Sequence, residues 1–168
     1  MIWYHQAYDF NHCLFRTLSV LEFEENISIE IEKMKILSFY LLFPAKLSDV
    51  RFPRDGVKYK KYFSDIDDRY NNVSSAKITY AKISALSDIC FSALSSFGLI
   101  ERKAFSKGVL KRTEHDLSEK LSNKISEYHD QNQHLFELLT KVFANLPLSG
   151  QLGLKVRTDL IDYRYDAR

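Results

Sequence analysis

The stretch Phe97-Gly98-Leu99-Ile100-Glu101-Arg102-Lys103-Ala104-Phe105-Ser106-Lys107-Gly108-Val109-Leu110-Lys111-Arg112-Thr113 constrains this chain more than any other. It follows an apolar helical run and precedes a long amphipathic one. Gly98 suits the left-handed position just past a helix end. Beyond it, Ile100, Arg102 and Ala104 alternate with Leu99, Glu101, Lys103 and Phe105, which predicts a two-faced strand. Ser106-Lys107-Gly108 predicts a turn, and Val109 to Thr113 a returning strand. Helix, basic hairpin, helix is how a winged-helix domain reads. The expected fold class is therefore mainly α, a winged-helix core with a small β-hairpin wing and flanking long helices. The wing carries Arg102, Lys103, Lys107, Lys111 and Arg112 against one acid, Glu101. Such a hairpin either touches nucleic acid or is a solvated edge, where lysine also blocks unwanted pairing.

The flanking segments supply the helices. Asp9 or Asn11 can cap a first helix from about Tyr8 to Glu25, with Phe10, Leu14, Leu18 and Leu21 on one face. A second helix is predicted from Ser28, as N-cap, to Phe43. It is apolar nearly all round its later half, which marks a central buried helix, and Pro44 ends it. From Arg51 to Ser75 turn signals accumulate, and an exposed connection with a weak helix near 58–70 is expected. A third helix, Ala76 to Phe97, places Ile78, Leu86, Ile89, Cys90, Ala93, Leu94 and Phe97 in its apolar set. The longest helix runs from about His115 to Leu146, with a kink or change of partner expected at Asp130 to His134. Residues 1–150 thus read as one helical winged-helix domain and 151–168 as a C-terminal docking tail. The tail alternates apolar and charged residues and either packs on this domain or binds a partner.

Bulk properties narrow the function. The chain has 168 residues and a net charge of +2, so any electrostatic partner is read by a local patch. Its two cysteines, Cys13 and Cys90, both lie in apolar helical runs, which predicts free thiols and a reducing cytoplasm. The N-terminal residues lack a signal-peptide pattern, and no apolar run is long enough to span a bilayer, so no membrane partner is expected.

Candidate chemistry is sparse. His129 and His134 are five apart, a poor spacing for a shared metal, and no cysteine or carboxylate pattern completes a zinc site. His12 and Cys13 are adjacent on a helix and do not face each other. Asp65, Asp67 and Asp68 lack calcium-loop spacing, and Gly98 and Gly108 do not form a phosphate loop. No catalytic residue, metal ligand or cofactor is assigned. What remains is the wing and a second basic cluster, Arg51, Arg54, Lys58, Lys60 and Lys61, interleaved with Phe52, Tyr59 and Tyr62. Bases on phosphates gain by counterion release, and aromatics among them can pack on bases or sugars. The candidate nucleic-acid contacts are Lys58, Lys60, Lys61, Arg102, Lys103, Lys107, Lys111 and Arg112. The candidate partner contacts on the tail are Leu152, Leu154, Arg157, Leu160, Tyr163 and Tyr165.

Ala7-Tyr8-Asp9-Phe10-Asn11-His12-Cys13-Leu14-Phe15-Arg16, with Met34-Lys35-Ile36-Leu37-Ser38-Phe39-Tyr40-Leu41-Leu42-Phe43-Pro44, resembles the middle component of ABC-three-component systems. Leu152-Gly153-Leu154-Lys155-Val156-Arg157-Thr158-Asp159-Leu160 and Tyr163-Arg164-Tyr165-Asp166 resemble the end of the same family. That group includes the accessory subunit of Lamassu-type anti-phage defence. The resemblance implies a small bacterial protein with a winged-helix core. It also implies partnership with an SMC-like ATPase and an effector, often a nuclease, that cuts when foreign DNA is sensed; the basic clusters are the candidates for non-specific contact of that complex with double-stranded DNA. It carries over no catalytic residues. The expected function is a non-catalytic adaptor in such a complex. The competing reading is a stand-alone winged-helix DNA-binding transcriptional regulator. Such regulators are usually two-fold dimers with a polar, basic recognition helix. Here the helix before the wing carries bases only at Lys77 and Lys82. If the wing meets DNA, replacing Lys107, Lys111 and Arg112 with Glu lowers the salt slope of binding by about 0.9 per lost phosphate contact and leaves the fold intact.

Overall fold

A computed structural model describes residues 6–66 and 75–161. Helix α1 spans Phe10–Phe23, strand β1 Ser28–Glu30 and helix α2 Ile31–Leu42. Helix α3 spans Ala76–Ser96, helix α4 Arg102–Phe105 and strand β2 Val109–Lys111. Helices α5, Glu119–Gln131, and α6, Gln133–Glu137, lead into a π-helical stretch, Leu138–Phe143, and α7 spans Leu154–Thr158. Two 3₁₀ segments, Pro44–Asp49 and Arg54–Tyr62, join α2 to the next long helix. The fold is mainly helical, with a small two-stranded antiparallel sheet.

Helix α2 sits at the centre, as its apolar composition predicts: every residue from Lys33 to Leu41 is buried. Its start differs from expectation. Ser28 is not a cap but a strand residue opposite Lys111, with Ile29 opposite Leu110 and Glu30 opposite Val109. Ile29, β-branched and 1% exposed, faces the core from a strand whose neighbours face out, and that period of two wins over helical continuation.

The hairpin is also rearranged. Ile100 bridges to Arg112, the Glu101 N–H donates to Lys111 O at 2.9 Å and the Thr113 N–H to Leu99 O at 3.2 Å, so the chain does return antiparallel. The predicted first strand stops at Glu101, however. Its carbonyl accepts from the Phe105 N–H at 2.9 Å, closing a helical turn over Arg102–Phe105. Gly108, at φ 80°, then turns the chain into β2, whose partner strand is β1.

Helix ends follow local chemistry. The Asp9 side chain accepts from the His12 N–H at 2.7 Å, and Ser75 and Ser118 cap α3 and α5 in the same way. Gly98, at φ 74°, terminates α3, with the Leu99 N–H donating to Leu94 O at 2.9 Å. The longest predicted helix breaks at Asn132, within the expected stretch, and its first residues to Ser118 are not helical. Three residues expected in the core of α3 lie outside: Ile78, Ile89 and Phe97 are 60%, 62% and 61% exposed. The helix instead buries Tyr80, Ile83, Ser87, Cys90, Phe91 and Leu94.

The tail packs on its own domain. Leu154 and Leu160 are buried, the Leu154 N–H donates to Pro147 O at 2.8 Å and the Arg51 N–H to Arg157 O at 3.0 Å. Gly153 permits the approach: a Cβ there would meet Ser149 O at 2.5 Å. Across the core, Phe136 is wholly buried, stacking on Phe23 at 5.2 Å and meeting Tyr128 edge-on at 5.2 Å. Phe136→Ala is expected to lower stability by about 3–5 kcal/mol in urea denaturation, the usual range for deleting a buried aromatic ring.

Candidate functional site

The structure separates the two basic clusters by their surroundings. In the wing, Arg112 is a fastener. Its guanidinium pairs with Glu22 of α1 and donates to Leu99 O and, at 2.8 Å, to His115 O. Lys111 pairs with Glu101 at 2.9 Å. Arg102, though exposed, reaches back to Ser95 O at 3.5 Å, while Lys103 and Lys107 stand exposed. Of the five wing bases, these last two are the ones left pointing at solvent without a described hydrogen bond or ion pair.

Beside the wing lies a cleft of about 770 Å³. The end of α1 gives it Glu22, Glu24 and Glu25. The opposite wall gives it Glu101, Glu114, Asp116 and Glu119, against Lys111 and Arg112. A concave wall of carboxylates repels a phosphate backbone brought to the adjacent hairpin. The hairpin itself holds one acid; Glu22, Glu24 and Glu25 come from the end of α1, and Glu114, Asp116 and Glu119 lie between the hairpin and the start of α5.

The second cluster has the opposite character. In the 3₁₀ segment Arg54–Tyr62, Tyr59 is buried and holds the segment down, while Arg54, Lys58, Lys60 and Lys61 are exposed. Tyr62, 43% exposed, stacks on the His134 ring of α6 with centroids 3.7 Å apart. The ammonium groups of Lys58 and Lys61 lie 5.0 and 4.9 Å from the Tyr59 and Tyr62 ring centres. The result is a basic ridge with a flat aromatic platform. Asp67 and Asp68 lie outside the described residues.

The proposed tail contacts divide. Leu154 and Leu160 are buried in this chain, and Arg157 donates to Leu152 O at 2.8 Å and Arg51 O at 2.9 Å. Leu152 remains 69% exposed. Tyr163 and Tyr165 lie outside the described residues.

One cluster escaped sequence reading. Arg16 is wholly buried in α1. Its Nε donates to Ser38 Oγ at 3.2 Å and its Nη1 approaches Gln6 O at 3.4 Å and His12 Nδ1 at 2.9 Å, while Nη2 has no partner. The signal was present: an arginine inside an apolar helical run, one turn from Cys13. No group of three or more metal-ligating side chains forms among the described residues.

Two outcomes follow. Arg112→Glu is expected to destabilise the fold by about 1–3 kcal/mol, because it sets a carboxylate against Glu22 and orphans two carbonyls, whereas Lys107→Glu stays within about 0.5 kcal/mol. Thermal or urea unfolding of the two variants checks this. Second, burial, with Arg16 beside it, holds the folded His12 below its ordinary value of 6.5. The unfolded chain therefore takes up that proton first, and the stability His12 contributes is full above 6.5 and lost as pH falls from there toward the lower folded value. Unfolding measured across that window is expected to show this slope, and His12→Gln to flatten it.

Comparison with known proteins adds one finding. The family model described as ABC-three component (ABC-3C) system Middle Component 5 matches residues 2–166. No curated protein and no solved structure matches. No helix among the described residues is long and apolar enough to cross a membrane. The family match covers both the α2-centred core and the docked tail, and with it the chain belongs to the Middle Component 5 family of ABC-three component systems.

Proposed function

We propose that this protein is a non-catalytic adaptor that bridges an SMC-like ATPase subunit and an effector subunit, a nuclease foremost, in a cytoplasmic anti-phage or anti-plasmid complex of the Lamassu kind. Membership of a middle-component family supplies the setting. The observation that carries the adaptor role is the outer face of α3, where Ile78, Ile89 and Phe97 stand exposed among Ala81, Lys82, Ala85, Asp88 and Ser92. Three large apolar side chains on one helix are suited to burial against a partner.

The order of elements supports a winged-helix core: α1, β1, α2, α3, then a strand pair in which residues near Ile100 and Arg112 meet and β2 also pairs with β1. In a regulator of that architecture the helix before the wing reads DNA. An α3 that presents isoleucine, alanine and serine, with Lys77 and Lys82 as its bases and Asp88 among them, favours protein docking over the regulator reading.

DNA contact within the complex belongs to the 3₁₀ ridge, not the wing. The ridge bases are exposed around an aromatic platform, while Arg112 and Lys111 are paired with acids beside a carboxylate-lined cleft. Co-expression with the genomic neighbours tests the adaptor role. The wild type is expected to co-purify with an SMC-like ATPase, and Ile89→Glu with Phe97→Glu to abolish this at unchanged melting temperature. A wild-type chain that stays monomeric contradicts the proposal. On the assembled complex, replacing Lys58, Lys60 and Lys61 with Glu is expected to lower the salt slope of duplex binding by about 0.9 per lost phosphate contact, and Lys103→Glu with Lys107→Glu to leave it unchanged.

A further inference from the structure

A 3₁₀ helix repeats every three residues, so side chains at i and i+3 share one row. In Arg54–Tyr62 and the residue before it, Pro53, Gly56 and Tyr59 form the buried row. The two other rows are exposed and carry Arg54 with Lys60, and Lys58 with Lys61. At the usual rise, Lys58 and Lys61 are about 6 Å apart along the axis, and Arg54 and Lys60 about 12 Å. Among the described residues no carboxylate pairs with any of these four, whereas Lys111 and Arg112 of the wing are both paired. Tyr62 continues the buried row where it leaves the core, 43% exposed between the buried Tyr59 and Phe63. Its ring lies flat on that of His134, with 3.7 Å between centroids and 18° between planes, and the His134 side chain is itself 46% exposed. Against these bases stand Asp55 and Asp65, exposed on and just after the segment, and Glu137, which lies 3.7 Å from His134 Nδ1 and has Lys141 at 3.9 Å to offset it.

We propose that this ridge and its two-ring platform form a binding site for single-stranded DNA, with one unpaired base extending the Tyr62–His134 stack and Arg54, Lys58, Lys60 and Lys61 on the flanking phosphates. The inference rests on the reading that the ridge is where this protein contacts DNA, and it names the form of DNA. The phosphates alone do not choose, since both forms present them. The platform does. In the interior of a duplex every base face is covered by its neighbours, and only base edges are offered to a protein, in the grooves. Two stacked rings on an exposed ridge have nothing to lie against there. A single strand turns its base faces out, and each is an aromatic surface that stacks without regard to sequence. The platform is preformed: His134 holds the Tyr62 ring, and Tyr59 and Phe63 hold the backbone on either side of it, so little freedom is lost when a base arrives. The Lys61 ammonium, 4.9 Å from the Tyr62 ring centre, ends a flexible stem and can leave the ring for a phosphate.

Anisotropy titrations of the full chain at low salt test this, with a labelled oligothymidylate of about 12 nucleotides, within the usual site size, and with a duplex of equal length. The single strand is expected to bind more tightly. Tyr62→Ala is expected to weaken its binding about 5- to 150-fold, the worth of one stacked base, and to leave duplex binding within about twofold. Tyr62→Phe, which keeps the ring, is expected to restore it. In the wild type, a single strand carrying 5-iodouracil is expected to photo-crosslink at Tyr62 or His134. Tyr62→Ala that weakens both forms alike, or neither, overturns the inference, because the ring pair then serves only to hold the segment. A crosslink confined elsewhere does the same, and so does an oligouridylate that binds more tightly than the oligothymidylate, which assigns the stack to RNA. These results leave the ridge as a DNA-contact surface if Lys58, Lys60 and Lys61 changed together to Glu still weaken binding of either form. If that triple change weakens neither, the reading on which the inference rests falls with it. Because the crosslink is read on wild-type protein, it holds whether or not the variants fold.

Discussion

The burial of α2 is the constraint on which the rest depends. A helix with no solvent face from Lys33 to Leu41 exists only if other elements enclose it, and its two lysines must reach polar partners. Lys35 extends to Glu32 at 2.8 Å and to Asp88 of α3 at 2.9 Å, and Lys33 to Glu30 at 2.7 Å and Ala144 O at 3.2 Å. These reaches tie α2 to α3, to β1 and to the π-helical end of the α6 stretch. The tail and the 3₁₀ segments complete the enclosure through Leu154, Leu160, Tyr59 and Phe63. Docking of Leu154 and Leu160 is thus part of how one core is closed.

The same packing sorts the surface. With the inner face of α3 committed to α1 and α2, Ile78, Ile89 and Phe97 are turned outward. Arg112 is committed to holding the wing to α1 through Glu22. The ridge around Lys58, Lys60 and Lys61 has no such duty, because Tyr59 anchors it from below. A charge that holds two elements together is not free to recruit a phosphate. That distinction depends on three-dimensional neighbours.

Much of the fold is legible in the chain, and the illegible parts have a common cause. The caps at Asp9 and Ser75, the stop at Gly98, the central helix and the break near Asn132 all follow from local rules about donors, glycine and apolar density. The errors lie where a distant partner decides. Ser28 reads as a cap until β2 offers a strand partner 83 residues away, from Ser28 to Lys111. Ile78 and Ile89 read as core because isoleucine at helical spacing is usually inside, and nothing local says which face α1 and α2 will take. The acidic wall beside the wing joins Glu22, Glu24 and Glu25 from the end of α1 to acids flanking the hairpin, so no single window along the chain shows all of it. The basic ridge was visible in sequence, but its aromatic platform was not, since Tyr62 and His134 are 72 residues apart.

The central claim is that this Middle Component 5 protein meets its partners through the outward face of α3 while its core and tail stay self-contained. Hydrogen–deuterium exchange, on the chain alone and on the complex assembled with its neighbours, tests this most directly. The account predicts new protection along α3 around Ile78 to Phe97 on assembly, with α2 slow in both states and the tail at 154–160 unchanged. Unchanged exchange along α3, with new protection confined to the tail or the acidic cleft, would contradict it.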